Sequence, residues 1–143
     1  MVTALFIIVV LAALGTALGT LSQRQHLGSA LDLDSARAIQ AARAGLEWGA
    51  FQVLRNPAPP AAATACPATT TFTLASTSLS SFTITVTCTR TPGASTVSDG
   101  DTALAFYTLV VSACNAPTAG SCPNTGTLQP TYVERQITWT VSR

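Results

Sequence analysis

The stretch "SALDLDSARAIQAARAGLEWGAFQVLR", residues 29–55, decides how this chain folds. Ile39, Ala42, Leu46, Ala50 and Val53 recur at intervals of 3, 4, 4 and 3 residues, which puts them on one face of a helix. Ser29, Asp32 and Asp34 stand at its start, where hydroxyl and acidic side chains suit the unpaired N–H groups and the positive end of a helix. Arg43 and Glu47 make an i, i+4 pair on another face, worth roughly 0.2–0.5 kcal/mol. Arg55 falls in the last turn, and Asn56-Pro57 stops the helix because proline disfavours helical backbone in the residue before it. Such a helix has one apolar face and needs a surface to lay it on.

That surface is encoded downstream. A proline- and alanine-rich linker, residues 56–68, contains "PAPPAAATACP"; beyond it, at 69–143, the period of the pattern changes to two. In "SFTITVTCT" (81–89), Phe82, Ile84, Val86 and Cys88 point one way and threonines 83, 85, 87 and 89 the other, as in a half-buried strand. "ALAFYTLVVSAC" (103–114) is apolar on both faces and reads as a central strand. "TYVERQITWTV" (131–141) turns Val133, Ile137, Trp139 and Val141 inward, with Arg135 the exception in that row; "TTFTL" (70–74) is a weaker fourth strand. "TPGASTVSDGD" and "NAPTAGSCPNTGTLQP" read as loops. The expected fold class is α+β: helix 29–55 on a small, about four-stranded antiparallel sheet, with Ile39, Leu46, Trp48, Val53 and Trp139 forming the helix–sheet core.

Upstream, residues 1–28 are of a different kind. Positions 1–23 carry no charged side chain, and about 20 apolar residues suffice to cross a bilayer. A cleaved secretory signal has a shorter apolar core and a basic start. All seven basic residues are arginine, and the first is Arg24, beyond the apolar run. By the positive-inside rule that arrangement conflicts with an oxidised domain outside the cytoplasm. The conflict disappears if a short basic leader has been cut away, so that Met1 is the mature N-terminus. "SQRQHLG" (22–28) contains no proline, so one helix from 1 to 55 is allowed.

Four cysteines, Cys66, Cys88, Cys114 and Cys122, in a Thr/Ser-rich segment after a hydrophobic stretch indicate disulfides and an oxidising compartment. Of the three possible pairings, sequence proximity favours Cys66–Cys88 and Cys114–Cys122. Zinc, the competing use, lacks a Cys-x-x-Cys pair, and His26 is the sole histidine. Its isolation beside the apolar run also argues against a catalytic triad. Asp99 and Asp101 in "SDGD" offer two carboxylates without the bidentate glutamate of a calcium loop, and read as a solvated turn. A Cys-x-x-Cys-His motif, a P-loop and a GxGxxG are all missing from the sequence, so no haem, nucleotide or other cofactor is expected. A formal net charge of +1 and only 9% charged residues give no electrostatic case for nucleic acid. The chain reads as a structural protein and not as an enzyme.

A long N-terminal helix, apolar then amphipathic, on a small disulfide-stapled antiparallel sheet resembles a type IV pilin. "ALFIIVVLAALG", "AARAGLEWGAFQVLR" and "YVERQITWTV" are similar to the start, second-half helix and last strand of the MshP/PilX-like branch, proteins of mannose-sensitive haemagglutinin pilus biogenesis. The resemblance implies a subunit of a type IV pilus or related filament of a Gram-negative bacterium, held in the inner membrane before an assembly machinery builds it into a helical polymer with copies of itself or other pilins. It implies a cell-surface, extracellular filament location, a role compatible with adhesion, and methylation of the Met1 amine after leader removal. Major pilins carry a glutamate at the fifth position that is thought to neutralise a neighbour's N-terminal amine; Leu5 stands there, a departure shared by many minor pilins of this branch. Gly15-Thr16 and Gly19-Thr20 form a small-x-x-x-small pattern that permits close helix approach, and in pilins this depth also loses helical hydrogen bonds in the filament. The alternatives are a minor, tip-located priming or adhesive pilin and a monomeric single-pass periplasmic domain that binds a partner.

Overall fold

The computed structural model describes residues 2–58, 62–99, 102–126 and 129–143. Met1, the Asp99 side chain, Gly100 and Asp101 lie outside that description, so neither the N-terminal amine nor the "SDGD" turn is characterised. The elements are α1 (Val2–Arg55), β1 (Thr70–Thr73), β2 (Thr83–Thr91), β3 (Val97–Asp99), β4 (Thr102–Leu104), β5 (Phe106–Cys114) and β6 (Glu134–Ser142). Two units divide the chain, Met1–Asp34 and Ser35–Arg143. The helix signals placed at Ser29, Asp32 and Asp34 therefore fall inside a helix and do not begin one; the Ser29 hydroxyl donates back to the Gln25 carbonyl at 3.0 Å.

Within Ser35–Arg143, one long helix segment packs on an antiparallel sheet of order β1-β2-β5-β6. Alternation sets its two faces. Ile84 and Val86 of β2 are buried, as are Tyr107, Leu109, Val111 and Ala113 of β5, while Thr87 and Thr89 face outward. The register runs unbroken from Thr83↔Cys114 to Thr91↔Phe106, and from Phe106↔Ser142 to Cys114↔Glu134. The strand expected over 103–114 is divided at Ala105, whose N–H and carbonyl exchange bonds with Arg143 at 2.7 and 2.9 Å. Ahead of that break β4 pairs with β3, a strand formed within the stretch read as a loop.

The helix meets the sheet through its smallest residues. Ala38, Ala41, Ala42, Gly45, Gly49, Ala50 and Val53 are buried. A Cβ built on Gly45 would lie 2.5 Å from Ile84 Cγ2 and 2.7 Å from Val111 Cγ1. At Gly49 the nearest atoms, from Val86 and Leu109, are 3.2 and 3.3 Å away. The expected core face is thus rotated. Ala42, Ala50 and Val53 belong to it, but Ile39 and Leu46 are half-buried flanking residues. The reason is complementarity: the sheet supplies large β-branched side chains along its middle, so the helix seats closest where it has none. Trp48 is half-buried on the β1 side, 5.6 Å from the Phe72 ring. Trp139, on edge strand β6, is 46% exposed and is not a core residue. Arg135 keeps its place in the inward row by reaching the helix, where its guanidinium donates to the Ser35 hydroxyl at 2.6 and 3.0 Å.

Both disulfides join the expected partners, Cys66–Cys88 and Cys114–Cys122. The first ties the linker to the inner row of β2, and the Tyr107 hydroxyl adds a bond to the Thr64 carbonyl. Arg143 closes the other side, donating to the carbonyls of Val53 at 3.0 Å and Pro57 at 2.8 Å. Val53 lies in the last turn, where helical carbonyls lack partners of their own.

The close approach at Gly45 yields a test. Alanine favours a helix interior by about 1 kcal/mol over glycine, whereas overfilling a packed core costs about 1–3 kcal/mol. Ile84 and Val111 are stiff at the contacting atoms, so the second effect is expected to win. Gly45→Ala should destabilise the globular unit by about 1–2 kcal/mol, while Gly49→Ala stays close to neutral. Thermal unfolding of the detergent-solubilised chain, followed by tryptophan fluorescence, measures both; a Gly45→Ala protein as stable as its parent would refute the packing.

Candidate functional site: an uncovered apolar helix

The unit Met1–Asp34 presents a surface that soluble proteins cover. Val2, Leu5, Phe6, Ile7, Ile8, Val9, Val10, Leu11, Leu14, Leu18 and Leu21 are all exposed, Leu5 at 66% and Val2 at 84%. They occupy every side of the helix, unlike the single stripe of a helix packed on a core. By length and composition the helix is able to cross a membrane, and none of that apolar window is buried. Combined with two disulfides further along, these residues fit a membrane anchor or signal segment ahead of a domain in an oxidising compartment.

Two hydroxyls inside the apolar stretch are satisfied locally. Thr16 donates its hydroxyl to the Ala13 carbonyl at 2.9 Å, and Thr20 to the Ala17 carbonyl at 2.8 Å. Back-bonding of this kind removes the cost of taking a hydroxyl into an apolar medium without a partner. Gly15 and Gly19 have open space where a side chain would stand. In this single chain α1 is continuous through Gly15–Thr20. Gly15–Thr20 is therefore a small-residue patch on the helix with apolar side chains on either side of it.

A second organised region closes one end of the sheet. The Asn115 side chain donates to the Thr131 carbonyl at 2.8 Å and accepts from the Val133 N–H at 3.0 Å. Asn124 donates its amide to the Ala116 carbonyl at 2.7 Å and accepts from the Gly126 N–H at 2.7 Å. Its backbone N–H donates to the Tyr132 hydroxyl at 3.0 Å, and that hydroxyl donates to the Glu134 carboxylate. The Cys122 N–H reaches the Thr85 hydroxyl at 2.9 Å, which explains how a threonine on the outer face is buried. Sequence reading placed the cysteine staple here but missed the asparagine network, whose partners depend on loop geometry. These bonds fix a loop; they do not set a nucleophile beside a base. His26 is exposed on α1, and among the described residues no three His, Cys, Asp or Glu side chains gather to hold a metal ion.

Comparison with protein-family models, with curated proteins and with solved structures finds no match. The functional reading therefore rests on the molecule's own chemistry.

Burial raises the Tyr132 phenol above its usual value of 10.0, and the hydrogen bond to Glu134 and the charge of that carboxylate push the same way, against the opposing Asn124 N–H. A raised phenol contributes stability that is fully present below its unfolded value and is lost as pH rises through the folded one. Spectrophotometric titration of the parent minus Tyr132→Phe should show a phenol ionising above 10.0. The alkaline loss of folded-state stability should shrink in the variant. A difference titration centred at or below the ordinary value would contradict the arrangement.

Proposed function

We propose that this chain is a structural subunit of a type IV pilus or a related filament, polymerising through its hydrophobic N-terminal helix. The observation that carries the reading is the uncovered apolar run from Val2 to Leu21, exposed on every side and joined to a disulfide-stapled α+β domain. Lipid covers such a surface; so does a bundle of identical helices, whose interior is about as apolar as lipid. A chain built this way has a low-cost path from one environment to the other. The stapled domain remains outside in both states, and the inner membrane holds the subunit until assembly machinery extracts it.

The glycines favour assembly over anchoring alone. Lipid does not read residue order, so an anchor has no need of a small patch at Gly15 and Gly19. Packed helices do, because glycine lets backbones approach. The threonines beside them stay satisfied by their own helix.

The double variant Gly15→Leu/Gly19→Leu separates the two uses. It keeps the segment apolar, so insertion into the membrane should be normal. Incorporation into filaments should fall strongly, because leucine separates neighbouring helices. The measure is the amount of chain in sheared surface filaments relative to the membrane fraction. Undiminished incorporation counts against this use of the glycines; complete absence of the parent chain from filaments favours a monomeric anchored domain.

A further inference from the structure

The sheet has two free edges of unlike character. β1 and β6 each have a partner strand on one side only among the described residues. β1 offers four residues, β6 nine. Natural sheets blunt a long edge with proline, a bulge or charge. β6 keeps its charges at its ends, Glu134 and Arg135 at the start and Arg143 just past the finish; between them Gln136–Ser142 contains no proline and no charged residue, and its register with β5 is unbroken. At its centre Trp139 stands 46% exposed on the side of the sheet that faces the helix.

Four consecutively antiparallel strands give the two edges opposite directions. Copies standing side by side with the same polarity would therefore present β6 of one antiparallel to β1 of the next. A two-fold pairing of β6 with β6 would instead reverse one copy, which a polar polymer does not allow. The contact between unlike edges is heterologous, the type that closes rings or builds open helices.

Resting on the reading of the chain as a filament subunit, we infer that β6 of one copy adds to β1 of its neighbour, extending the sheet sideways between subunits. The side chains fit one register. With Trp139 opposite Phe72 of the next copy, Thr138 meets Thr73 and Thr140 meets Thr71. Threonines pair on the outer side, and aromatic rings meet on the helix side. There Trp48 already leans on Phe72 at 5.6 Å, so the exposed indole completes an aromatic cluster that the single chain leaves open. Neither edge carries a charge at these positions, so nothing repels the approach.

Paired cysteines in the full chain test the contact. Thr73 and Thr138 are exposed on the outer face, so Thr73→Cys and Thr138→Cys leave the core intact. Filaments of the double variant, mildly oxidised, should give a ladder of dimers, trimers and longer species on a non-reducing gel, and each single variant only monomer. A dimer from Thr138→Cys alone would reveal symmetric β6 pairing and overturn the assignment. Filaments without a ladder overturn the edge contact and leave the polymer reading standing; a parent chain that forms no filaments overturns both. Trp139→Lys adds a second readout: unchanged melting of the globular unit with several-fold lower filament recovery. Equal recovery removes Trp139 from the contact.

Discussion

Everything in the globular unit depends on how near the helix comes to the sheet at Gly45. Ile84 and Val111 occupy the space in which any other residue's Cβ would stand. That approach seals the middle of the core with the large side chains of one layer only. It also fixes which helix residues flank the contact. Trp48 is turned toward β1, and Leu46 packs at the margin of the cluster around Val53, Tyr107 and Leu109. A bulkier helix face would lift the layer, loosening the contact of Arg135 with Ser35 and of Arg143 with the helix end together.

Much of the architecture was legible because it follows from period. Alternation in 82–89 and in 137–141 specifies strands and their faces, and the absence of proline before Asn56-Pro57 allows one unbroken helix. The cysteine pairing followed from loop length alone. Of the helix face that spacing marks out, Ala42, Ala50 and Val53 are buried and Leu46 packs at the core's margin, but the closest approach to the sheet lies beside it, at Gly45 and Gly49. Packing between layers matches small against large, and the signal lay in the paired glycines of "AGLEWGA" (44–50). Trp139 was misplaced for a related reason. Period two gives the face of a residue but not the strand's place in the sheet, and an edge strand exposes half of its inward row.

The apolar N-terminal unit was legible from composition, yet the means by which Thr16 and Thr20 are tolerated there was not. Their hydroxyls bond to carbonyls three residues back, so the segment is apolar in effect wherever it lies. This eases an apparent contradiction in the sequence, two threonines deep within a run otherwise suited to lipid. It also leaves the surface beside the glycines free of unsatisfied groups that would penalise contact with another apolar helix.

The two arginine contacts join residues 100 and 90 positions apart, Arg135 with Ser35 and Arg143 with Val53. Both come from β6 or the residue just after it, and both grip the helix. Contacts of such long range close large loops and slow folding. The helix can form early from local bonds, but its Gly/Ala face gains its clamps only once β6 has paired with β5. Until β6 has paired with β5 the helix lacks both arginine contacts, so the packing at Gly45 and the two clamps are completed by the last strand in the sequence.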